Sequence, residues 1–286
     1  MDHASDSYAG LERQAIGTIL ALLRDKPKAA RLWSLLLSDT ELQASWEMAN
    51  FIAVRKLGHN DHGRTHAVIA TAHALSMLGL LHDDGIQSDI EEHGRGDADD
   101  AACIVIAALL CHDLGNQVHR SDHAVISVSL AQPVLDRVLP EIYPELSTRV
   151  AIRSFVLSAI YSHHGTPPPI TIESALVCIG DAADMTKGRG RLSFDAGSVT
   201  IHTVSALAIE SVTICKGEWK PVEIRVTMSN SAGIFQVQEL LGPKVINGPL
   251  ANYVDIVAVP ASLHEGGLEN PIVRGFRMQG KKFVPL

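Results

Sequence analysis

The chain's 286 residues, 46% hydrophobic and 20% charged, allow one large domain or a main domain with a smaller one, and argue against wholesale disorder. A formal net charge of −8 argues against a general nucleic-acid binder, which needs a Lys/Arg excess to neutralise phosphates; a phosphorylated substrate stays open if a metal supplies local positive charge. Four scattered cysteines in apolar runs (Cys103, Cys111, Cys178 and Cys215), with no CxxC, read as reduced core residues of a cytoplasmic protein, with no signal peptide or membrane span expected.

The first two-thirds reads helical. "YAGLERQAIGTILALLRD" has apolar residues at helical spacing and is followed by Pro27. "SDTELQASWEMANFIAVRKLG" opens on a capping-box pattern, Ser38 to Glu41, and closes on Gly58. "RTHAVIATAHALSMLGLLH" is Ala-rich and periodic, and the acidic "DDGIQSDIEEHGRGDADD" reads as a loop, its Asp97, Asp99 and Asp100 as solvated. Next come an apolar helix ending in His112 and helices near 121–138, 145–164 and 171–186, the last two separated by Pro167, Pro168 and Pro169. Beyond "KGRGR" the texture changes. "ALAIESVTICKG", "PVEIRVTMS" and "YVDIVAVP" read as strands and "SAGIFQVQELLG" as a helix. The expected fold is therefore mainly α, a helical domain over 1–190 with a smaller C-terminal α+β unit over 197–286. The Gly/Pro-punctuated tail is expected to cover the main domain or a neighbour.

The chemistry lies in the 14 histidines. Ala101, Val105, Ala108 and His112 fall close to one helical stripe. His123 shares a stripe with Ile126 and Leu130, His163 lies beyond Val156 and Ile160, and Asp181 lies between Val177 and Met185. One inward histidine is ordinarily a satisfied core residue. Four helices that each aim a His or Asp inward suggest a metal site, because bundles build such sites from facing helices. The adjacent His112–Asp113 pair adds to this, since a buried carboxylate needs a partner. Imidazole nitrogen with carboxylate oxygen suits Mn, Fe, Zn, Co or Ni better than Ca.

The order His66, His112–Asp113, His123, His163–His164, Asp181 resembles the HD superfamily of metal-dependent phosphohydrolases, whose motif is H…HD…D in a helical domain. "RTHAVIATAHAL" is similar to the family's first-His helix and "ALLCHDLGN" to its apolar-HD-x-Gly pattern. "SDHAVIS" and "YSHHG" stand where two-metal members carry extra ligands, and "CIGDAADMTKG" resembles the final-Asp helix. The resemblance spans about residues 50–190. It implies His66, His112, Asp113 and Asp181 on one divalent transition metal and Asp113, His123, His163 and His164 on a second, with Asp113 bridging. The adjacent His163 and His164 would point about 100° apart on a helix, yet both can reach from a helix end. The implied activity is hydrolysis of a phosphate mono- or diester, nucleotide-like, by a metal-activated hydroxide. Two features depart from the family. Asn116 stands where many members carry Lys after HD-x-Gly, and the Gly-Tyr-Pro loop of cyclic-di-GMP phosphodiesterases is replaced by "GTPPPIT".

Other residues stay open at this point. Asp113 and Asp184 are the candidate catalytic carboxylates, Asp184 either orienting a ligand or activating water. Lys187, Arg189 and Arg191 in "KGRGR" read as a solvated hinge or a phosphate clamp. Asn116 and His62 are further candidates for the substrate; Asn60 or Asp61 can equally cap a helix. His119 competes with His123 as ligand, and His73 reads as core or as support behind a ligand. The resemblance also leaves open a mixed-valent di-iron oxygenase, a non-enzymatic ligand sensor and an RNA-cleaving member, the last disfavoured by the acidic charge. A small-molecule phosphate ester is the expected partner, with no membrane and no extended nucleic acid. The strand-rich unit could pair two copies in a homodimer.

Overall fold

Apolar residues at helical spacing fold most of the chain into packed helices. The computed structural model describes residues 3–195, 200–261, 275–280 and 282–286. In chain order the first helices are α1 (His3–Leu22), α2 (Pro27–Ser38), α3 (Thr40–Asn50), α4 (Arg64–Asp83), α5 (Asp89–Glu92) and α6 (Ala98–Cys111). They are followed by α7 (His123–Val138), α8 (Leu146–Ser162), α9 (Ile172–Ala183), α10 (Lys187–Asp195) and α11 (Ile201–Ala206). The C-terminal part carries β1 (Ile209–Lys216), β2 (Val222–Met228), α12 (Gly242–Ile246), β3 (Val254–Pro260), β4 (Phe276–Gln279) and β5 (Lys282–Pro285). The fold is mainly α with a small C-terminal sheet, as the sequence texture implies. Among the described residues no helix is long and apolar enough to cross a membrane.

Helix α6 is the axis of the helical layer. Every residue from Asp99 to Cys111 is buried, as expected of a helix apolar on all sides. It packs against α2, α4, α8 and α9. The Ala-rich α4 lets α9 come close: a Cβ on Gly180 would stand 2.9 Å from both the backbone oxygen of Ala70 and the Cβ of Ala74. That approach sets Asp181, the next residue, beside His66. Cys103, Cys111 and Cys178 are buried free thiols and Cys215 is a half-buried one.

Three local expectations need correction. The helix over Pro27–Ser38 is absent from the sequence reading, although Pro27 occupies the first helical position that suits it. Ser38 closes α2 rather than opening α3, and Asp39 is the cap, its carboxylate accepting from the Leu42 amide at 2.8 Å. Asp99 and Asp100 are not solvated. Asp99 accepts the amides of Lys28 and Ala29 at 2.9 and 2.8 Å, satisfying the orphan donors at the start of α2. Asp100 accepts from the Tyr143 hydroxyl at 2.7 Å and pairs with Lys28 at 2.6 Å. Asp99→Ala should therefore lower stability by about 1–3 kcal/mol, the cost of stranding buried donors. A urea midpoint that falls while metal content stays at the parent level is the expected result.

The sheet runs in the order β1-β2-β3-β4-β5. Strands β2 and β3 are parallel and the other neighbours antiparallel. A parallel pair needs a crossover, and residues 229–253 supply it. Within this crossover the expected helix at "SAGIFQVQELLG" appears as a tight turn at Ser231–Gly233 and a wide helical turn at Gln236–Leu241, continued by α12. Strands β1 and β2 pack on α4, and α12 packs on α9. Residues 262–274 and 281 of the tail lie outside the described residues, and the described part adds β4 and β5 to the sheet edge.

Candidate metal centre

Four donor atoms converge where α4, α6 and α9 meet. His66 Nε2 lies 3.2 Å from Asp181 Oδ1, 3.2 Å from His112 Nε2 and 3.6 Å from Asp113 Oδ2. His112 Nε2 lies 3.3 Å from Asp113 Oδ2 and 3.7 Å from Asp181 Oδ1. Donor atoms each about 2.1 Å from a common centre would stand roughly 3.4 Å apart, so these separations have the size of a metal cage. His66, His112 and Asp181 form one group that could hold an ion, and His112, Asp113 and His163 an overlapping one. The other oxygen of Asp113 faces a second set. Asp113 Oδ1 is 3.3 Å from His123 Nε2 and 3.9 Å from His163 Nε2, which are themselves 3.2 Å apart. His164 completes this group, its ring centroid 4.6 Å from that of His123.

The histidines reach the site from helix ends, where the chain leaves backbone acceptors free. His112 and His163 follow the last residues of α6 and α8, and their Nδ1 atoms donate to the carbonyls of Leu109 and Ile160 at 2.7 and 2.6 Å. His123 opens α7 and donates from Nδ1 to Arg120 O at 2.9 Å. His66 donates from Nδ1 to Asp184 Oδ2 at 2.8 Å. Each bond puts the proton on Nδ1 and turns the Nε2 lone pair inward, the tautomer a metal needs. Gly115 makes the turn between the two ligand pairs possible. Its amide donates to Ser127 Oγ at 2.7 Å, and its bare Cα passes against the backbone of His123.

The electrostatics match a cation. Burial alone would raise the pKa of Asp113, but His112 and His62 beside it hold its carboxyl well below the usual range. Asp181 is likewise raised by burial and held well below by Lys244, His112 and His66. Burial would lower His112, yet Asp113 and Asp181 carry it to about 10. The cluster thus binds positive charge strongly. Burial keeps His163 well below its ordinary value and His164 down to about 4, so both imidazoles stay neutral ligands. Asp113 Oδ2 is buried and has no hydrogen-bond partner among the described residues. A carboxylate oxygen so stranded beside two inward imidazole lone pairs fits one transition metal, and the set around Asp113 Oδ1 fits another.

The other sequence candidates are placed differently. Asn116 is buried and does not face the cavity: it donates from Nδ2 to Asp113 Oδ1 at 2.7 Å and to the Asp113 carbonyl at 3.0 Å. It orients the Asp113 carboxylate. Asn116→Ala should weaken metal binding about 10–100-fold with the fold kept, as measured by manganese titration; parent affinity would refute that role. Asp184, behind His66, accepts from His66 and from the Tyr8 hydroxyl at 3.0 Å, the position of an orienting group. Arg189 donates to the carbonyls of Asp61 and Asp184, both at 2.9 Å, and braces the cavity wall. Lys187 is 49% exposed and pairs with Glu210 on β1, whereas Arg189 lines the cavity. The Arg191 side chain lies outside the described residues. His62 lines the cavity, its Nδ1 on Asn60 O at 2.6 Å, and Asp61 takes the capping role, accepting from the His66 amide at 2.9 Å. His119 is exposed and accepts from the Ser121 amide, leaving His123 as the inward residue. Half-buried His73 interacts electrostatically with Asp184 and His66, and its Nδ1 has no hydrogen-bond partner among the described residues.

Sequence reasoning missed three groups. Tyr8 of α1 reaches Asp184. Arg120, in the turn before α7, stands 3.3 Å from His123 Nε2 and from His164 Nε2. Lys244 of α12 donates to Asp181 Oδ2 at 2.6 Å. The centre opens into a cavity of about 660 Å³ whose far wall is built by the C-terminal unit, including Thr200, His202, Gln236 and Glu239.

The HD domain family model matches residues 63–186, the segment that holds all these donors. The chain is also 39% identical over 223 residues to an uncharacterized protein of Methanocaldococcus jannaschii, covering 78% of this chain and 86% of that protein. No solved structure matches. With a matched segment whose first histidine, HD pair and last aspartate meet at one point, the chain belongs to the HD domain family, a superfamily of metal-dependent hydrolases.

Proposed function

We propose that the protein is a metal-dependent phosphohydrolase that cleaves a phosphate ester of nucleotide size at a binuclear centre. One observation carries the reading: the two oxygens of Asp113 face separate donor sets, 3.3 Å from His112 Nε2 on one side and 3.3 Å from His123 Nε2 on the other. Two divalent ions at such a centre lower the pKa of water toward neutrality and offset the charge of a phosphoryl group. The chain supplies the rest. Asp113 fixes the spacing of the two positions, and Asn116 fixes Asp113. Asp184 and the backbone carbonyls hold the imidazole tautomers. The cavity has the volume of a small-molecule site.

The test is the metal content of protein purified without added metal, followed by a screen of phosphomonoesters and cyclic nucleotides with Mn, Co, Ni and Zn. Two equivalents of metal and hydrolysis with a redox-inert ion support the reading. A single equivalent at saturation sinks the binuclear centre, and turnover only with iron and O₂ would mean an oxygenase.

A further inference from the structure

The ligand set contains two carboxylates, and each meets a base from outside its own helix. Lys244 Nζ lies 2.6 Å from Asp181 Oδ2 and donates to the His163 carbonyl at 3.0 Å. Arg120 lies 3.8 Å from Asp113 Oδ1, and its terminal nitrogens stand 3.3 Å from the Nε2 atoms of His123 and His164. Both bases line the cavity. Arg120 rests on atoms that bound cations would use and also donates to Asn116 Oδ1 at 3.2 Å, while Lys244 rests on the second oxygen of Asp181, whose Oδ1 faces His66 and His112. Once cations are bound, the two positive groups are repelled from them, and their stems leave them facing the cavity.

Charge counting identifies what they meet there. Asp113 and Asp181 are balanced by Arg120 and Lys244, and Asp184 by Arg189 at 3.6 Å. With Asp61, which shares the Tyr8 hydroxyl with Asp184, and Glu239 on the cavity wall counted as well, two divalent ions leave an excess of two positive charges. A phosphoryl group with two negative charges offsets more of that excess than a diester with one. Resting on the binuclear phosphohydrolase reading, we propose that Arg120 and Lys244 grip the transferred phosphoryl group and that the substrate is a phosphomonoester. In the reaction the oxygen of water bonds to phosphorus and the ester P–O bond breaks. The electron pair leaves on the alcohol oxygen, which takes a proton, and inorganic phosphate is the second product.

The experiment uses the full chain loaded with manganese, as parent and as Arg120→Gln, Lys244→Gln and Lys244→Arg. Manganese uptake and the binding of inorganic phosphate and dimethyl phosphate are measured by calorimetry at pH 8. The parent should take two ions and bind phosphate about tenfold or more tighter than dimethyl phosphate. Both Gln variants should hold manganese at least as tightly, because a competing cation is gone, and bind phosphate about tenfold more weakly, the loss of one charge-assisted contact. Lys244→Arg should recover most of the phosphate affinity. Unchanged phosphate binding in loaded Gln variants would overturn the gripping role, and so would loss of manganese, which would mark these bases as supports of the ligands. Equal affinity for dimethyl phosphate in the parent would overturn the monoester assignment. A parent that takes up fewer than two ions overturns the binuclear reading itself, a failure separate from any result with the variants.

Discussion

Asp113→Ala is expected to empty both ion positions at once while the helices remain folded. Asp113 contributes one oxygen to each donor set, so its loss removes a ligand from both. The remaining ligands are neutral imidazoles and Asp181, a set with one negative charge for two divalent ions. Changing a group that merely orients a ligand costs about 10–100-fold in metal affinity, and losing the bridging ligand itself should cost more. The fold has little need of this carboxylate. Its Oδ2 atom has no hydrogen-bond partner among the described residues, Asn116 keeps its bond to the Asp113 carbonyl when the one to Oδ1 is lost, and the backbone oxygen that holds the following turn survives the substitution. Elemental analysis should therefore fall from two equivalents toward zero with an unchanged circular dichroism spectrum. Parent-like metal content in this variant would refute the site.

A comparable loss is expected from Gly115→Ala, through geometry alone. An added Cβ would stand 2.1 Å from the His123 carbonyl oxygen and 2.8 Å from its Cα. These are backbone atoms in the first turn of α7 and cannot swing aside as a side-chain end can. Either the Leu114–Gln117 turn or the start of α7 must shift, and His123 shifts with it. Overpacking of this kind costs about 1–3 kcal/mol or more. A ligand misplaced by about an ångström costs on the order of a hundredfold in rate. The set of His66, His112 and Asp181 lies on the far side of Asp113 from α7, so metal uptake should drop from two equivalents to about one. A parent-like melting temperature with two ions bound would show that the turn can absorb a methyl group.

Much of this was legible from residue order. His112, His123, His163 and Asp181 sit on stripes that local 3.6-residue periodicity can show, whereas His66 and the ligand role of Asp113 follow from the residue order that the resemblance to the HD family implies. The roles of the residues around them were not legible, because those depend on contacts between distant segments. Asn116 was read as a substitute for a phosphate-binding Lys, when its short amide folds back onto Asp113 three residues away. Lys187 and Arg189 lie on one helix two residues apart. Helical rotation sends one to Glu210 and the other into the wall behind His66. Lys244 lies 63 residues beyond Asp181 in a stretch, "GPKVI", with no periodic signal for a site. Asp99 looked like one more loop acid, since α2, whose amides it serves, was not recognised.

The crossover between β2 and β3 has a consequence for how the molecule can be divided. The change of sequence texture after residue 190 invites a cut there, to isolate the helical part as a self-sufficient module. Such a cut would take away the ammonium on Asp181, the far side of the cavity and the strands that shield one flank of α4. Donor atoms would remain, but they would face open solvent. The site is thus built from both parts: one supplies the candidate metal ligands, and the other shapes the cavity they face.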